Sequence, residues 1–142
     1  MNTIIDNIAT YFETLTEDSV SRLGDYYAED AYFKDPFNEV RGIKPIQRIF
    51  AHMYVALDKP RFVITKKIVE DNTCFLAWDF KFYMKKYNKT TEQTIRGGSH
   101  LILNTEGKIV SHRDYWDAAE ELYEKLPILG ALMRWLKKQA NS

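Results

Sequence analysis

The sequence predicts an α+β fold in which helices cover one side of a curved antiparallel sheet. In the first half of the chain apolar residues recur at helical spacing, and in the second half long segments alternate between apolar and polar residues. The length of 142 residues is that of one ordinary domain, without an internal repeat or a linker. We therefore expect one domain, residues 1–142, with helices and sheet packed around one core.

The first half of the chain predicts three helices and one short strand. Residues 4–15 place their apolar side chains on one wide helical face, and Thr16 can cap a second, shorter helix that carries Val20, Leu23 and Tyr27. Residues 31–35 then alternate as a short strand. A third helix is expected from Pro45, which the first turn of a helix tolerates, to Pro60, where the helix stops.

The second half predicts a meander of long strands. In the second of them, alternate residues from Cys74 to Met84 are apolar and should share one face of the sheet. The segment from Asn104 to Gly107 resembles a type I turn followed by a left-handed glycine, which would join the last two strands. The four predicted strands are residues 62–69, 73–85, 94–103 and 108–116.

The C-terminal segment predicts an amphipathic helical tail. The tail starts at Ala118, is interrupted at Pro127, and places an apolar stripe beside Arg134, Lys137 and Lys138. Packing against its own domain is the first interpretation and a dimer contact the second. Binding to an anionic membrane is the third, because the basic cluster is small.

The charge balance and the single cysteine exclude several classes of protein. Lys plus Arg and Asp plus Glu number 20 each, so no nucleic acid partner is expected for the domain as a whole. Cys74 has no second cysteine with which to form a disulfide or a CxxC metal site within the chain. No apolar run is long enough to span a membrane and no basic region precedes an N-terminal apolar stretch, so we expect a cytoplasmic protein.

The register of the last two strands decides which polar side chains share a face. Simple counting from the turn pairs His100 with His112 and leaves an open space at Gly98, opposite Asp114. A one-residue bulge would instead bring Ser99 and Leu101 onto the face of Asp114. Without the bulge, one face would carry Arg96, His100, His112, Asp114 and Trp116.

Two aspartates lie in aromatic surroundings, where a carboxylate is unexpected because aspartate is depleted in strands. Asp35 ends an aromatic run, and it is either a general base whose pKa is raised by burial or a strand-end aspartate that accepts backbone N–H groups. Asp114 is either an acid–base or substrate-anchoring group, or the partner of Arg96 or Arg113 in a salt bridge.

The order of these elements, together with the segments at residues 26–37 and 107–116, resembles the nuclear transport factor 2-like superfamily. This superfamily includes ketosteroid isomerases, SnoaL-like polyketide cyclases and limonene epoxide hydrolases. The resemblance implies a cone-shaped, strongly curved sheet with helices closing over a pocket, and a homodimer formed through the outer face of the sheet. The arginine and aspartate of the epoxide hydrolase relay have no clear match around Trp78 and Asp79.

The resemblance also implies roles for individual residues. Asp35, followed by Pro36, is similar to the general base of ketosteroid isomerases, and Tyr11 matches their oxyanion-hole tyrosine. Asp114 resembles the acid–base aspartate of SnoaL-like cyclases, which follows a histidine such as His112. The isomerase pattern fails at Ser99, where those enzymes keep a protonated aspartate.

We therefore predict a pocket for a small, largely apolar molecule that bears oxygen. Asp35 or Asp114 would remove a proton next to a carbonyl, and Tyr11 with Ser99 or His100 would stabilise the oxyanion. This chemistry requires no cofactor, and no metal is expected. The alternative is a non-catalytic ligand-binding or assembly module of the same fold. The predicted substrate-binding residues are Phe33, Phe50, Trp78, Ser99, His100, His112 and Trp116.

Overall fold

A computed structural model describes residues 2–86 and 88–123 of the chain. The helices and strands alternate only in the first half, and four long strands follow one another in the second half. The predicted interruption at Pro127 and the apolar stripe after it lie outside the described residues. In chain order the elements are α1 (Asn2–Glu13), a 3-10 helical segment (Asp18–Asp25), β1 (Tyr27–Lys34), β2 (Glu39–Arg41), α2 (Ile43–Ala56), β3 (Leu57–Glu70), β4 (Thr73–Met84), β5 (Gln93–Leu103), β6 (Ile109–Tyr115) and α3 (Ala118–Tyr123).

The six strands form one curved, unclosed sheet in the order β2-β1-β6-β5-β4-β3. Every neighbouring pair is antiparallel except β1 and β6, which run parallel. Because β6 is inserted between β1 and β5, its inward side chains lie beside residues from both halves of the chain. The predicted mixed α+β fold is confirmed. None of the helices within residues 2–86 and 88–123 is long and apolar enough to cross a membrane.

The element boundaries differ from the expectations where local hydrogen bonds or a proline intervene. The predicted second helix is a 3-10 segment. Thr16, which precedes it, donates its N–H to Ser19 Oγ at 2.8 Å and accepts the Ser19 N–H at Oγ1 at 3.1 Å. The third helix ends at Ala56, and β3 continues past Pro60. A proline is tolerated there because β3 is an edge strand with a register irregularity between Asp58 and Arg61.

The core lies between the helices and the inner face of the sheet. The inner residues of β4 are buried as their alternation predicted. Gly97 is required by close packing, because a Cβ atom there would come within 2.6 Å of the Trp78 ring. The open space expected at Gly98 is absent, since the Phe75 ring occupies it and a Cβ atom would collide with that ring. The buried residues of β4 are Cys74, Leu76, Trp78, Phe80, Phe82 and Met84.

The hairpin between β5 and β6 has the predicted turn but not the register obtained by simple counting. The Asn104 N–H donates to the Lys108 carbonyl at 2.9 Å, and Gly107 has a φ of +80°. The register then shifts by one residue, because Leu103 pairs with Ile109 while Ile102 pairs with Ser111. The expectation without a bulge was therefore wrong, and the alternative with a one-residue bulge is confirmed.

The shifted register brings Ser99 opposite Asp114 and Leu101 opposite His112. His100 is therefore paired with Arg113, on the outer face of the sheet, and does not share a face with His112. This corrects the expectation that His100 faces the pocket.

Candidate active site

Asp114 is the centre of a buried polar cluster on the inner face of the sheet. Its Oδ1 atom accepts a hydrogen bond from Ser99 Oγ at 2.5 Å and lies 2.7 Å from His112 Nε2. The side chain of Asp114 is only 15% exposed. Among the described residues no donor reaches Oδ2, so one oxygen of the carboxylate is held from two sides and the other is left open.

Two chains of hydrogen-bonded side chains extend from this carboxylate into the core. On one side, the Trp78 indole N–H donates to Ser99 Oγ at 2.9 Å. On the other side, the Tyr27 hydroxyl lies 2.6 Å from His112 Nδ1. Because Trp78 Nε1–H can only donate, Ser99 must accept from it and direct its own hydrogen toward Asp114. The cluster thus satisfies the buried polar groups of four different strands, β1, β4, β5 and β6.

An aromatic cavity adjoins the cluster between the helices and the sheet. Its volume of about 10 Å³ is close to that needed for one water molecule. Most of the lining is fully buried, whereas Phe62 and Ile64 on β3 are only partly buried. The cavity is lined by Phe12, Phe50, Phe62, Ile64, Leu76, Trp78, Ser99, His112 and Asp114.

A larger cleft opens on the surface where β1 and β6 end. It has a volume of about 210 Å³, and the Trp116 and Phe37 rings pack at 5.8 Å beside it. Asp114 lines this cleft as well as the inner cavity, so it lies between the two spaces. The cleft is lined by Lys34, Asp35, Pro36, Arg113, Asp114, Tyr115 and Trp116.

Asp35 is bound by the turn that follows it. Its Oδ1 atom accepts the backbone N–H groups of Phe37 at 2.8 Å and Asn38 at 2.6 Å, and the Asn38 side-chain amide donates to both carboxylate oxygens at 3.1 Å. Burial raises the pKa of Asp35, and the nearby charge of Asp114 adds to this, while the hydrogen bonds from Phe37 and Asn38 act in the opposite direction. The carboxylate lines the surface cleft but not the inner cavity.

Tyr11 and Phe33 lie outside both spaces. The Tyr11 hydroxyl donates to the Ser19 carbonyl at 2.8 Å, and its ring stacks on Tyr26 with ring centroids 4.1 Å apart. Burial raises the pKa of Tyr11 far above its ordinary value. Phe33 is buried behind His112, with ring centroids 4.7 Å apart. The structure thus does not bring these two residues into the lining, unlike Phe50, Trp78, Ser99 and His112.

Sequence reasoning missed several residues of the site. Tyr27 was assigned to a helix, so its place on β1 beside His112 was not foreseen. Phe12 lines the cavity in place of its neighbour Tyr11, and the helical spacing of α1 could not distinguish them because both are buried. Lys34 and Arg113 were not expected in the cleft, although they are paired on the neighbouring strands β1 and β6. Their place in the cleft follows only from the pairing of β1 with β6, two strands that are far apart in the sequence.

No group of three or more possible metal ligands occurs within the part of the chain that the structure describes. The inner cavity is lined by a carboxylate, a hydroxyl, an imidazole, and aromatic and aliphatic side chains. Together, the curved sheet, the covering helices and the polar cluster beside an apolar cavity define a cone-shaped domain with a buried candidate site for a small molecule.

A family comparison identifies this class more closely. The SnoaL-like domain family matches residues 8–112, and the chain belongs to this family, within the nuclear transport factor 2-like superfamily. Comparison with curated protein sequences gives no match.

Solved structures share the fold at low sequence identity. A protein with a ketosteroid isomerase-like fold from Catenulispora acidiphila, in complex with trimethylamine, is 18% identical, with a TM-score of 0.69 over 84% of this chain and 89% of that one. A candidate SnoaL-like polyketide cyclase from Shewanella putrefaciens is 16% identical, with a TM-score of 0.72 over 90% and 98%. An LEH-like epoxide hydrolase from M. tuberculosis is 14% identical, with a TM-score of 0.70 over 92% and 95%. These likenesses support the fold. Because proteins of this fold are described with different activities, the reaction of this chain has to be inferred from its site.

Proposed function

We propose that this protein is a cofactor-independent enzyme in which Asp114 removes a proton next to a carbonyl of a small, largely apolar molecule. The observation that carries the proposal is the asymmetry of the Asp114 carboxylate. Both of its hydrogen bonds end on Oδ1, whereas Oδ2 has no donor among the described residues. Oδ2 can therefore gain and lose a proton while the contacts at Oδ1 stay in place.

The proposed step moves the proton from a carbon of the substrate to Asp114 Oδ2. The electron pair of the broken C–H bond forms the C=C bond of an enolate, and the carbonyl π pair moves onto oxygen. Return of the proton to another carbon of the conjugated system completes an isomerisation. Attack of the enolate carbon on a second carbonyl, with the proton passing to the new alkoxide, completes an aldol cyclisation.

The surface cleft is the space best suited to the substrate, because its volume is about 210 Å³ whereas that of the inner cavity is about 10 Å³. Two cations, Lys34 and Arg113, and two carboxylates, Asp35 and Asp114, line the cleft, so its formal charges balance. This balance favours an uncharged ligand, and the cations favour negative charge that develops on a carbonyl oxygen. Trp116 supplies an apolar wall.

The small inner cavity favours the second candidate, a non-catalytic ligand-binding or assembly module. A ligand larger than water could enter that cavity only if its aromatic lining moved. In such a module the polar cluster would serve stability alone.

Hydrogen–deuterium exchange distinguishes the two functions without knowledge of the product. The protein is incubated in D₂O with a panel of small cyclic ketones and enones, and loss of the C–H signal next to the carbonyl is followed by proton NMR. We expect exchange with at least one compound, slowed by about 10²–10⁴-fold in Asp114→Asn. Absence of exchange above the buffer rate with compounds that bind would contradict the enzyme and support the module.

A homodimer formed through the outer sheet face is also proposed. Val63, Ile68 and Tyr115 expose 37%, 53% and 47% of their surface there. Sedimentation equilibrium tests this state, and replacing Ile68 by Lys should shift it toward monomer.

A further inference from the structure

The contact between Tyr27 and His112 is enclosed by the core. The two residues are 1% and 2% exposed, and their rings are nearly parallel, with centroids 5.9 Å apart and planes at 14°. The Tyr27 hydroxyl lies 2.6 Å from His112 Nδ1, while His112 Nε2 lies 2.7 Å from Asp114 Oδ1. Both nitrogens of one imidazole are therefore occupied in a site with almost no solvent.

These contacts determine where the hydrogen of the imidazole lies. A neutral histidine has one N–H donor and one nitrogen acceptor. With the hydrogen on Nδ1, the Tyr27 hydroxyl hydrogen would have no acceptor among the described residues, and two lone pairs would meet between Nε2 and Asp114. Each unpaired buried group destabilises the folded state. With the hydrogen on Nε2, Tyr27 donates to Nδ1, Nε2–H donates to Asp114, and every group is paired.

The surroundings keep Tyr27 a donor and restrict the His112 ring. Burial, and then the charge of Asp114, raises the pKa of Tyr27 well above its ordinary value, so the phenol retains its hydrogen. The rings of Phe12, Phe33 and Phe50 contact the imidazole with centroids at 5.9, 4.7 and 6.4 Å. A turn of the ring by 180° would place carbon atoms where Nδ1 and Nε2 now lie, so the contacts to Tyr27 and Asp114 would both be lost.

We propose that Tyr27 is a positioning residue that fixes His112 as the neutral Nε2–H tautomer, so that His112 donates to Asp114 and does not itself accept the proton of a substrate. This assignment rests on the proposed function only in naming Asp114 as the base.

The consequence is a site with a single proton acceptor. The Ser99 hydroxyl hydrogen is directed to Asp114 because Ser99 accepts from Trp78, and the His112 Nε2 hydrogen is directed there by Tyr27. Asp114 Oδ2 is then the position at which a proton is taken up and returned. Such a site suits substrates whose proton leaves and re-enters on one face, as in the isomerisation of an unsaturated ketone.

Nitrogen-15 NMR of the imidazole rings tests the assignment without any ligand. Two-bond and three-bond proton–nitrogen correlations distinguish the two tautomers. We expect His112 in the wild-type protein to give the pattern of a pure Nε2–H tautomer. In Tyr27→Phe, which keeps the ring but removes the hydroxyl, the two His112 nitrogen signals should move part of the way toward each other, because only the contact between Nε2 and Asp114 then favours the Nε2–H tautomer.

Ser99→Ala is the matched control, because it removes the other donor to Asp114 and should leave the His112 pattern unchanged. An Nδ1–H pattern or an averaged pattern in the wild-type protein would overturn the proposal, as would a Tyr27→Phe spectrum identical to the wild type. If Tyr27→Phe does not fold, the wild-type pattern alone decides. A protein that failed the exchange assay but showed the Nε2–H tautomer would refute the proposed function and leave this assignment standing.

Discussion

Asp35 and Asp114 line the same surface cleft, but they are held by different kinds of donor. Asp35 accepts two backbone N–H groups and an amide, which belong to the turn that it closes. Asp114 accepts from a hydroxyl and an imidazole of the folded core, and its second oxygen is open. Position in a cleft therefore does not identify a base. The donors distinguish the carboxylate that builds local structure, Asp35, from the one that we propose as the base, Asp114.

The largest effect that separates the two carboxylates is structural. Replacing Asp35 by Ala leaves the N–H groups of Phe37 and Asn38 without their acceptor, and we expect a loss of about 1–3 kcal/mol in the free energy of unfolding. Urea denaturation measures this loss.

Asp35→Asn is the matched control for that variant. An asparagine oxygen can still accept both N–H groups. The Asn38 Oδ1 atom is buried without a partner among the described residues, and after the Asn38 amide turns over this oxygen can accept from the amide of the new asparagine. We expect stability close to the wild type and unchanged proton exchange from substrate. A large loss of exchange in Asp35→Asn would transfer the role of base to Asp35.

The second effect concerns the support of Asp114. Replacing Ser99 by Ala removes one of the two donors at Oδ1 and leaves the Trp78 indole N–H without its acceptor. We expect a cost of about 1 kcal/mol in stability, from urea denaturation, and a decrease of roughly tenfold in the exchange rate. An unchanged exchange rate would show that the hydrogen bonds from Trp78 through Ser99 to Asp114 serve packing only.

The third effect is the pH dependence of stability at Asp35. Because the folded-state pKa is raised above 3.8, the protonated form is favoured by folding. The stabilising contribution is fully present below the unfolded-state pKa and is lost as the pH rises through the folded-state pKa. The free energy of unfolding of the wild type minus that of Asp35→Asn should therefore fall between pH 3.8 and neutrality. A difference that rises over this range would contradict the assigned direction.

The smallest expected effect concerns the reactivity of Cys74, which is buried on the same face of β4 as Trp78 but does not belong to the polar cluster. Burial raises the pKa of Cys74 to about 11, so the thiol should be unreactive in the native protein. A chromogenic disulfide reagent should modify it no faster than the protein unfolds. Rapid modification would show that the inner face is open to solvent.

The sequence was sufficient for the fold but not for the contacts of the site. The alternation of β4 and the turn before Gly107 are local patterns, and both were predicted correctly. The face of Ser99 and His100 depended on one extra residue between Ile109 and Ser111, and local sequence does not indicate on which strand a bulge falls.

The hydrogen-bond partners of the buried polar groups were even harder to predict from the sequence. Tyr27 and His112 are 85 positions apart and meet because β6 pairs with β1. Asp35, by contrast, was correctly considered as a turn aspartate, because its donors follow it within three residues. Contacts within a turn could be read from the sequence, whereas contacts across the sheet required the strand order.

The role of Asp114 as the base is tested most directly by the carboxyl carbon-13 NMR spectrum of the two aspartates during titration with a phenol, a stable analogue of an enol. The signals are assigned with Asp114→Asn and Asp35→Asn. If Asp114 is the base, saturation with the phenol should shift the Asp114 carboxyl resonance and leave that of Asp35 in place. A shift at Asp35 alone, or no shift at either residue with a phenol shown to bind, would contradict Asp114 as the base.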